Sequence, residues 1–212
     1  MLTLARARRL PLEDLAPYLL ADPTTPGVLS WNTVFGNDQS VEIEVGVGKG
    51  LFLLTSAQAR PDVNWLGIEI ARKYQLFTAT RLAKRQLTNV RLARADARLL
   101  LRDYVAADCC QALHVYFPDP WWKKRHLKRR LFTPEFAVQC ARVLKRGGWL
   151  HVVTDVAEYF QVITDIVARH TPLQRTADAE ISLPPAGQEY LTNFDRKFRL
   201  EGRSIYRAGY QK

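Results

Sequence analysis

The amino-acid sequence predicts an α/β domain in which helices cover both faces of a mostly parallel central sheet. From residue 41 onward, short apolar runs alternate with amphipathic stretches, which is the pattern of repeated β-α units. A glycine-rich turn directly follows the first predicted strand, as in open sheets that bind ligands at their strand ends. The length of 212 residues corresponds to one compact domain with a terminal extension.

The first 40 residues predict an N-terminal arm that precedes a main domain at residues 41–212. Their hydrophobic pattern is broken too often for a long element, so we expect a partly extended arm with one short helix. The breaking residues are Pro11, Pro17, Pro23, Pro26, Gly27 and Gly36. The Arg-rich start lacks the long apolar run of a secretory signal, and an organelle-targeting peptide is the alternative.

The first half of the main domain predicts three strands separated by two helices. The strands are expected at residues 41–45, 64–70 and 90–94, where short apolar runs end at turn residues or acids. An apolar helix is expected at residues 51–59. The stretch from the second strand to Gln86 has helical spacing and a basic outer face.

The second half predicts two further strands and two further helices. A strand at residues 110–117 ends at Pro118, because proline lacks the amide that a central strand needs. Thr133 and Pro134 are expected to begin a helix that runs to Lys145 and stops at Gly147 and Gly148. A strand at 149–155 and a helix at 156–170 follow, and then a loop at 184–185.

The composition favours a polyanionic partner. The formal net charge is +10 with a pI near 9.8, and residues 123–130 contain six Lys or Arg side chains and no acid. Charge alone does not distinguish nucleic acid from an anionic membrane surface. The longest apolar runs fall short of the roughly 20 residues of a membrane span. The three cysteines, two of them adjacent, fit neither a disulfide framework nor a metal-site spacing, so we expect no metal.

The glycine turn has the sequence EVGVGKG, with Glu44 two residues before Gly46 and further glycines at 48 and 50. A dinucleotide-binding turn has the spacing G-x-G-x-x-G, whereas this turn has G-x-G-x-G. The turn therefore resembles motif I of class I methyltransferases. Its glycines let the backbone approach a ligand closely.

Two further acids close the next two predicted strands. Glu69 lies about where a carboxylate accepts both hydroxyls of a ribose, and Asp96 could accept the adenine amino group. Because carboxyl ends of parallel strands share one edge, these acids and Glu44 should lie together. Each acid alone has an ordinary interpretation as a loop residue or helix cap. A nicotinamide-dependent oxidoreductase is the rival hypothesis, but its glycine spacing and catalytic Tyr/Lys or His pair do not occur.

Two separated motifs resemble the bacterial tRNA (guanine-N7-)-methyltransferase family. They are FPDPWWKKRHLKRR at 117–130 and TNFDRKFRLEGRSIYR at 192–207, and the likeness runs from about residue 41 to 208. The resemblance implies a Rossmann-like class I methyltransferase fold and S-adenosyl-L-methionine as cofactor, with S-adenosyl-L-homocysteine as product. It also implies methyl transfer to N7 of the variable-loop guanosine at tRNA position 46, forming 7-methylguanosine.

The resemblance also assigns site residues by position. Asp119 is implied as the catalytic residue. The implied cofactor contacts are Glu44, Gly46, Gly48, Glu69, Asp96 and Asp119. The implied substrate positions are Lys123, Asp155, Thr192, Asn193, Phe194 and Asp195, the last of which is a glutamate in many members.

The residue types agree with this chemistry. Guanine N7 carries a free lone pair, so the enzyme has to supply orientation and charge stabilisation but no general base. Asp119 could accept hydrogen bonds from the guanine N1–H and exocyclic amine. Trp121, Trp122 and Tyr116 could stack on an extruded base, although core burial explains Tyr116 equally well. Phosphate contacts are expected from Lys124, Arg125, Lys128, Arg129 and Arg130.

The expected partner is therefore tRNA, in the cytoplasm, with no membrane and no obligate protein partner. The sequence leaves monomer and homodimer open. A non-catalytic RNA-binding protein that keeps the fold is the second rival hypothesis. The intact glycines, strand-end acids and Asp119 argue against that rival.

Overall fold

The computed structural model describes residues 10–20, 28–176 and 190–212. Within these residues, seven strands form one sheet in the order β3-β2-β1-β4-β5-β7-β6. The strands are β1 Val41–Val45, β2 Asn64–Ile68, β3 Val90–Ala93, β4 Cys110–Tyr116, β5 Leu144–Thr154, β6 Gln174–Thr176 and β7 Tyr206–Gln211. The first five run parallel, and β7 pairs antiparallel with both β5 and β6. The predicted mostly parallel α/β sheet is confirmed.

Eight α-helices lie in the described part of the chain. They are α1 Leu12–Leu15, α2 Trp31–Phe35, α3 Leu51–Ala59, α4 Arg72–Ala83, α5 Ala97–Tyr104, α6 Pro134–Val143, α7 Ala157–His170 and α8 Asn193–Leu200. Short 3-10 helices span Ala16–Tyr18 and Lys124–Arg129. No described helix has the length and apolarity needed to cross a membrane.

Two apolar clusters lie on the two faces of the sheet. One contains Ile43, Leu113 and Phe136 and packs α5, α6 and α7 against the strands. The other contains Trp65, Phe52 and Leu82 and packs α3 and α4 against the opposite face. Because both faces are covered, all five residues of β1 and all five residues of β2 are buried.

The predicted end of helix α6 is wrong. Thr133 caps this helix as expected, since its hydroxyl accepts from the Phe136 amide at 3.2 Å, but the helix ends at Val143 and β5 begins at Leu144. Gly147 has φ of 78°, and the β4–β5 register shifts between Cys110 and Ala112, the residues that pair with Leu144 and Trp149. The two glycines thus belong to an irregularity within the strand, not to a helix stop.

The described part of the N-terminal arm packs onto the main domain. Leu15 is fully buried, Tyr18 is nearly so, and the Leu20 amide donates to the Leu92 carbonyl at 3.0 Å. The arm therefore covers the edge of the sheet at β3. It contains two short α-helices where one was expected, while residues 1–9 and 21–27 lie outside the described residues.

Four elements were not predicted from the sequence: α5, α8, β6 and β7. The two strands add an antiparallel extension to the sheet, and β7 brings the closing motif of the chain back to β5. The loop predicted around Pro184 and Pro185 lies outside the described residues.

Candidate active site

Five acids lie at the carboxyl ends of the five parallel strands. Since these strands point the same way, the acids share one edge of the sheet, as the sequence predicted. In chain order they are Glu44, Glu69, Asp96, Asp119 and Asp155. Their surroundings differ, and these differences separate residues that are already paired from residues that are open to a ligand.

The glycine turn after β1 has left-handed backbone at each of its three glycines. The φ angles are 83° at Gly46, 51° at Gly48 and 70° at Gly50, where side chains other than glycine are strained. A Cβ at Gly46 or Gly48 would meet no atom within 4 Å, so this backbone faces open space. A Cβ at Gly50 would collide with the Thr78 side chain, which also donates to the Gly48 carbonyl at 3.1 Å.

Glu69 ties the end of β2 to this turn. Its carboxylate accepts from the Gly48 amide at 2.9 Å and from the Ala71 amide at 2.8 Å. The side chain is buried, so these two backbone amides hold it in place beside the open face of the turn.

Glu44 is buried under the turn with one carboxylate oxygen lacking a partner. Its Oε2 atom has no hydrogen-bond partner among the described residues. Burial and the nearby charge of Glu69 raise the pKa of Glu44 well above its usual value, against a hydrogen bond from the Leu53 backbone. An orphaned carboxylate oxygen beside an open glycine turn suits a ligand that carries positive charge and donors.

Asp96 already has a structural task. It caps α5 by accepting from the Arg98 amide at 2.9 Å, and it pairs with the Arg98 guanidinium at 2.6 Å. The hydrogen bond to the Arg98 side chain is the main reason that the pKa of Asp96 is lowered. The carboxylate is half-buried at the expected edge, but its oxygens are occupied by α5 and Arg98.

Asp119 lies in a backbone segment that is strained on both sides of it. Phe117 and Trp121 have φ of 52° and 42°, and bulky residues occupy this left-handed region at a cost of about 1 kcal/mol or more each. The segment is held by the Phe117 amide, which donates to the Val153 carbonyl at 2.7 Å. Asp119 itself is exposed, and no described residue makes a hydrogen bond or ion pair with it.

The basic run after Asp119 forms the 3-10 helix Lys124–Arg129 and folds back over Trp121. The Arg129 guanidinium lies 5.1 Å from the Trp121 ring centre, and His126 meets the same ring edge-on at 5.7 Å. The side chains of Lys123, Arg125, Lys128 and Arg129 are exposed, which leaves them accessible to phosphate. The side chain of Lys124 lies outside the described residues.

Arg130 differs from the rest of the run. Its Nε donates to the Pro120 carbonyl at 2.7 Å, and its guanidinium lies 4.9 Å from the Tyr159 ring centre. This half-buried arginine therefore braces the Asp119 segment from inside the protein.

The aromatic residues that were expected to stack on a base differ in exposure. Trp122 is 58% exposed, whereas Tyr116 is only 7% exposed and belongs to the core.

The closing motif forms the start of α8, and its acid points inward. Thr192 caps the helix by accepting from the Asp195 amide at 3.0 Å. The Asp195 carboxylate is 0% exposed and accepts from the Leu191 amide at 2.8 Å and from Arg199 at 2.9 Å, with Arg207 at 3.2 Å. Against the expectation of a substrate contact, Asp195 is enclosed by these partners, while its neighbours Asn193 and Phe194 are exposed.

A contact that the sequence did not indicate joins the closing motif to the active-site edge. Arg203 forms an ion pair with Asp155 and stacks 4.1 Å from the centre of the Phe198 ring. Phe198 in turn lies 5.5 Å from Phe117, which is two residues before Asp119 in the chain. Arg203 lies beyond the end of α8 and Asp155 follows β5, so no local spacing in the sequence indicates this contact.

Comparison with known proteins agrees with this geometry. The family model Methyltransf_4, described as a putative methyltransferase, matches residues 38–208. A tRNA (guanine-N(7)-)-methyltransferase of Rhodopirellula baltica is 39% identical over 95% of this chain and 77% of that protein. The protein of the same name from Syntrophotalea carbinolica is 34% identical over 92% of this chain and 84% of its own length.

Solved structures share the fold at lower sequence identity. The aminoglycoside resistance methyltransferase NpmB1 has a TM-score of 0.57 at 21% identity, covering 81% of this chain and 86% of that one. An antibiotic-related methyltransferase has a TM-score of 0.59 at 16% identity, covering 86% and 92%. These likenesses show the methyltransferase fold. The sequence relatives and the matched family model show that the chain belongs to the bacterial tRNA (guanine-N(7)-)-methyltransferase family.

Proposed function

We propose that this protein transfers a methyl group from S-adenosyl-L-methionine to N7 of the variable-loop guanosine at position 46 of tRNA. The products are 7-methylguanosine in tRNA and S-adenosyl-L-homocysteine, and the reaction takes place in the cytoplasm. The observation that carries the proposal is the exposed Asp119, which has no hydrogen-bond or ion-pair partner among the described residues. It follows the strand that pairs with β1, which leads into the open glycine turn, and it precedes the basic segment. Family membership supports the same reaction.

The cofactor would lie against the glycine turn. Gly46 and Gly48 offer backbone to open space, and Glu69 stands beside them. The orphaned Oε2 of Glu44 suits the positive charge and the donors of S-adenosyl-L-methionine. Asp96 would turn from its pairing with Arg98 toward the adenine, and Asp119 would close the site on the substrate side. The bound cofactor supplies a methyl group activated by its sulfonium.

The guanine would be held by the segment that follows β4, by the start of α8 and by the end of β5. Asp119 accepts from the N1–H and exocyclic amine, which fixes the base with N7 toward the methyl group. Thr192, Asn193 and Phe194 would contact the base beside this segment, since the Phe194 ring lies 6.1 Å from that of Phe117. Asp155 would join them through its ion pair with Arg203. Asp195 acts as a positioning residue, because its buried carboxylate holds the start of α8.

No proton has to leave N7 for the methyl group to be transferred. The N7 lone pair forms the new bond to carbon while the carbon–sulfur bond breaks and its electron pair returns to sulfur. Positive charge therefore moves from the cofactor to the purine. The negative charge of Asp119 stabilises the purine cation that forms, and in a site that excludes water this interaction is stronger than in solution.

The tRNA would be held by the exposed part of the basic run. Lys123, Lys124, Arg125, Lys128 and Arg129 follow Asp119 closely, so phosphates bound there lie next to the extruded base. Trp122 offers an exposed ring for stacking, and Arg130 keeps the segment in place through Pro120. In this arrangement, tRNA binding and base placement depend on the same piece of backbone.

The test is methyl transfer to unmodified tRNA, followed by mapping of 7-methylguanosine by mass spectrometry. Asp119→Ala should lower turnover by a factor of about 100 or more, as does loss of a charged group aimed at the transition state. Its affinity for the cofactor, measured by calorimetry, should stay within a few fold.

The control variant is Asp62→Ala, an exposed acid in the loop before β2 at the opposite edge of the sheet. Its turnover should match that of the unmodified enzyme. Unchanged turnover in Asp119→Ala would contradict the assignment of Asp119. Absence of 7-methylguanosine from every tRNA tested would overturn the proposed reaction itself.

A further inference from the structure

Helix α4 carries a basic and aromatic face that the proposed site does not use. Lys73, Tyr74, Phe77, Arg81 and Lys84 follow the spacing i, i+1, i+4, i+8 and i+11, which places them on one side of a helix. Tyr74 is 38% exposed and Phe77 is 36% exposed. Lys73 lies 6.0 Å from the Tyr74 ring centre, and Arg81 lies 6.0 Å from that of Phe77. We name these five residues the α4 face.

The stretch of sequence that contains the α4 face carries basic residues and no acid. From residue 70 to residue 95 the sequence has no Asp or Glu, although the whole protein has 21 of them. Seven basic residues fall in the same stretch: Arg72, Lys73, Arg81, Lys84, Arg85, Arg91 and Arg94. Such a concentration of one charge next to exposed rings fits a polyanion that also presents flat, unpaired bases.

The α4 face is fastened to the glycine turn. The Arg81 guanidinium donates to the Lys49 carbonyl, and Thr78 donates to the Gly48 carbonyl. Gly50 packs so closely on Thr78 that a Cβ would not fit between them. A ligand docked on α4 would therefore be held at a fixed distance from the open face of Gly46 and Gly48.

We propose that the α4 face is a second RNA-docking surface, which binds tRNA backbone phosphates and stacks an unpaired base on Tyr74. This inference rests on the proposed function and extends it to a part of the tRNA remote from the target base. In the sheet, β1 is flanked by β2, which leads into α4, and by β4, which leads into the segment at 123–130. The two basic surfaces therefore bracket the glycine turn.

The experiment measures binding of unmodified tRNA by fluorescence anisotropy across a series of salt concentrations. The double variant Lys73→Ala, Lys84→Ala removes the two exposed cations of the α4 face, one near each end of the helix. The matched control Lys145→Ala, Arg146→Ala removes two exposed cations from the opposite edge of the sheet. In the first variant only, we expect the slope of log K against log salt to fall by roughly 0.7 to 0.9 for each phosphate that the protein no longer neutralises.

Tyr74→Ala tests stacking separately from charge. It should weaken tRNA binding roughly tenfold and leave the salt slope unchanged, because stacking releases no counterions. An unaltered salt slope in the Lys73 and Lys84 variant overturns the proposal, as does an equal fall in the control. A second assay measures binding of the same double variant to vesicles of phosphatidylserine and phosphatidylcholine. If the variant loses vesicle binding but binds tRNA normally, the α4 face binds a membrane and not tRNA.

The binding measurement does not depend on catalysis. If no tRNA is methylated but the salt slope falls as expected, the proposed reaction fails and the α4 face stands. If methylation proceeds with an unchanged KM for tRNA and an unchanged slope in the variant, the reaction stands and the α4 face fails.

Discussion

Glu42 and Glu44 lie two residues apart on β1 and point to the same face of the sheet, because alternate residues of a strand share a side. Both are glutamates, and both are buried, with exposures of 4% and 3%. Their neighbours nevertheless give them opposite properties. The two positions allow a direct comparison between a buried acid that supports the fold and a buried acid that is open to a ligand.

Glu42 is fully paired. The Arg60 guanidinium donates to its two oxygens at 2.7 and 2.9 Å, and His114 Nε2 lies 2.8 Å from Oε2. His114 also contacts the Tyr116 hydroxyl at 2.9 Å and stacks on His151 at 4.9 Å between ring centres. Burial alone would raise the pKa of Glu42, but His114 and Arg60 outweigh it and lower the pKa to about 2.

Glu44 lacks such partners, and its pKa is raised well above the usual value by burial and by Glu69. The comparison shows that burial of an acid is not by itself a sign of function. Glu42, which has two charged or polar side-chain partners, costs little to keep ionised. Glu44, whose Oε2 atom has no partner among the described residues, costs stability until a ligand supplies donors. The orphaned oxygen of Glu44 therefore distinguishes the ligand site from the polar part of the core.

The largest expected effect is loss of stability in Glu42→Ala. This change leaves the buried His114 without its acceptor and should lower the free energy of unfolding by about 3 to 5 kcal/mol. Urea denaturation of the two proteins measures the difference. A loss below about 1 kcal/mol would contradict the structural role of Glu42, since that is the scale of an exposed ion pair.

Glu44→Gln should lower cofactor affinity without lowering stability. The neutral amide keeps the shape but loses the charge, so affinity for S-adenosyl-L-methionine should fall by about 1.5 to 3 kcal/mol, the value of a hydrogen bond to a charged group. Stability without the cofactor should equal or exceed that of the unchanged protein. Calorimetric titration measures the affinity, and urea denaturation measures the stability. If Glu44→Gln lowered stability and left cofactor affinity unchanged, Glu44 would support the fold and would not bind the ligand.

The two glutamates should also contribute pH dependences of opposite sign. The folded-state pKa of Glu42 is below its unfolded value, so its contribution is present above pH 4.5 and is lost as pH falls toward about 2. The folded-state pKa of Glu44 is raised, so its contribution is present below pH 4.5 and is lost as pH rises through the raised pKa.

Unfolding free energies of the unchanged protein, Glu42→Gln and Glu44→Gln, measured from about pH 3 to about pH 8, separate these contributions. Glu42→Gln should remove part of the loss in acid. Glu44→Gln should gain stability relative to the unchanged protein as pH rises. Parallel curves for all three proteins would mean that neither carboxyl changes its pKa on folding.

The smallest expected effect is that of Arg60→Ala. The Arg60 side chain is 44% exposed, so water replaces much of its interaction with Glu42, and we expect a loss of about 1 kcal/mol in unfolding free energy. Part of this loss would come from its contact with the Trp65 ring at 4.5 Å. A loss as large as that of Glu42→Ala would show that Arg60, not His114, stabilises the buried carboxylate.

Residues near strand ends could be placed from the sequence because strand ends are local features. Glu69, Asp96 and Asp119 each follow a short apolar run, and parallel strands bring their carboxyl ends to one edge whatever the details of packing. Residues whose role depends on a distant partner could not be placed. Asp195 and Arg130 were expected to face substrate and phosphate, but Asp195 turns inward to Arg207 and Arg130 to Tyr159, partners on other elements that periodicity does not reveal.

The sequence by itself determined the mostly parallel sheet, the glycine turn and the single edge on which the acids lie. These follow from residue patterns a few positions long and from the fixed geometry of parallel strands. Only the tertiary structure decided that Glu42 is paired and Glu44 is not. The two glutamates look equivalent on β1, and the difference comes from His114, 72 residues later in the chain, and from Arg60. A contact over that distance depends on packing, which no local pattern encodes.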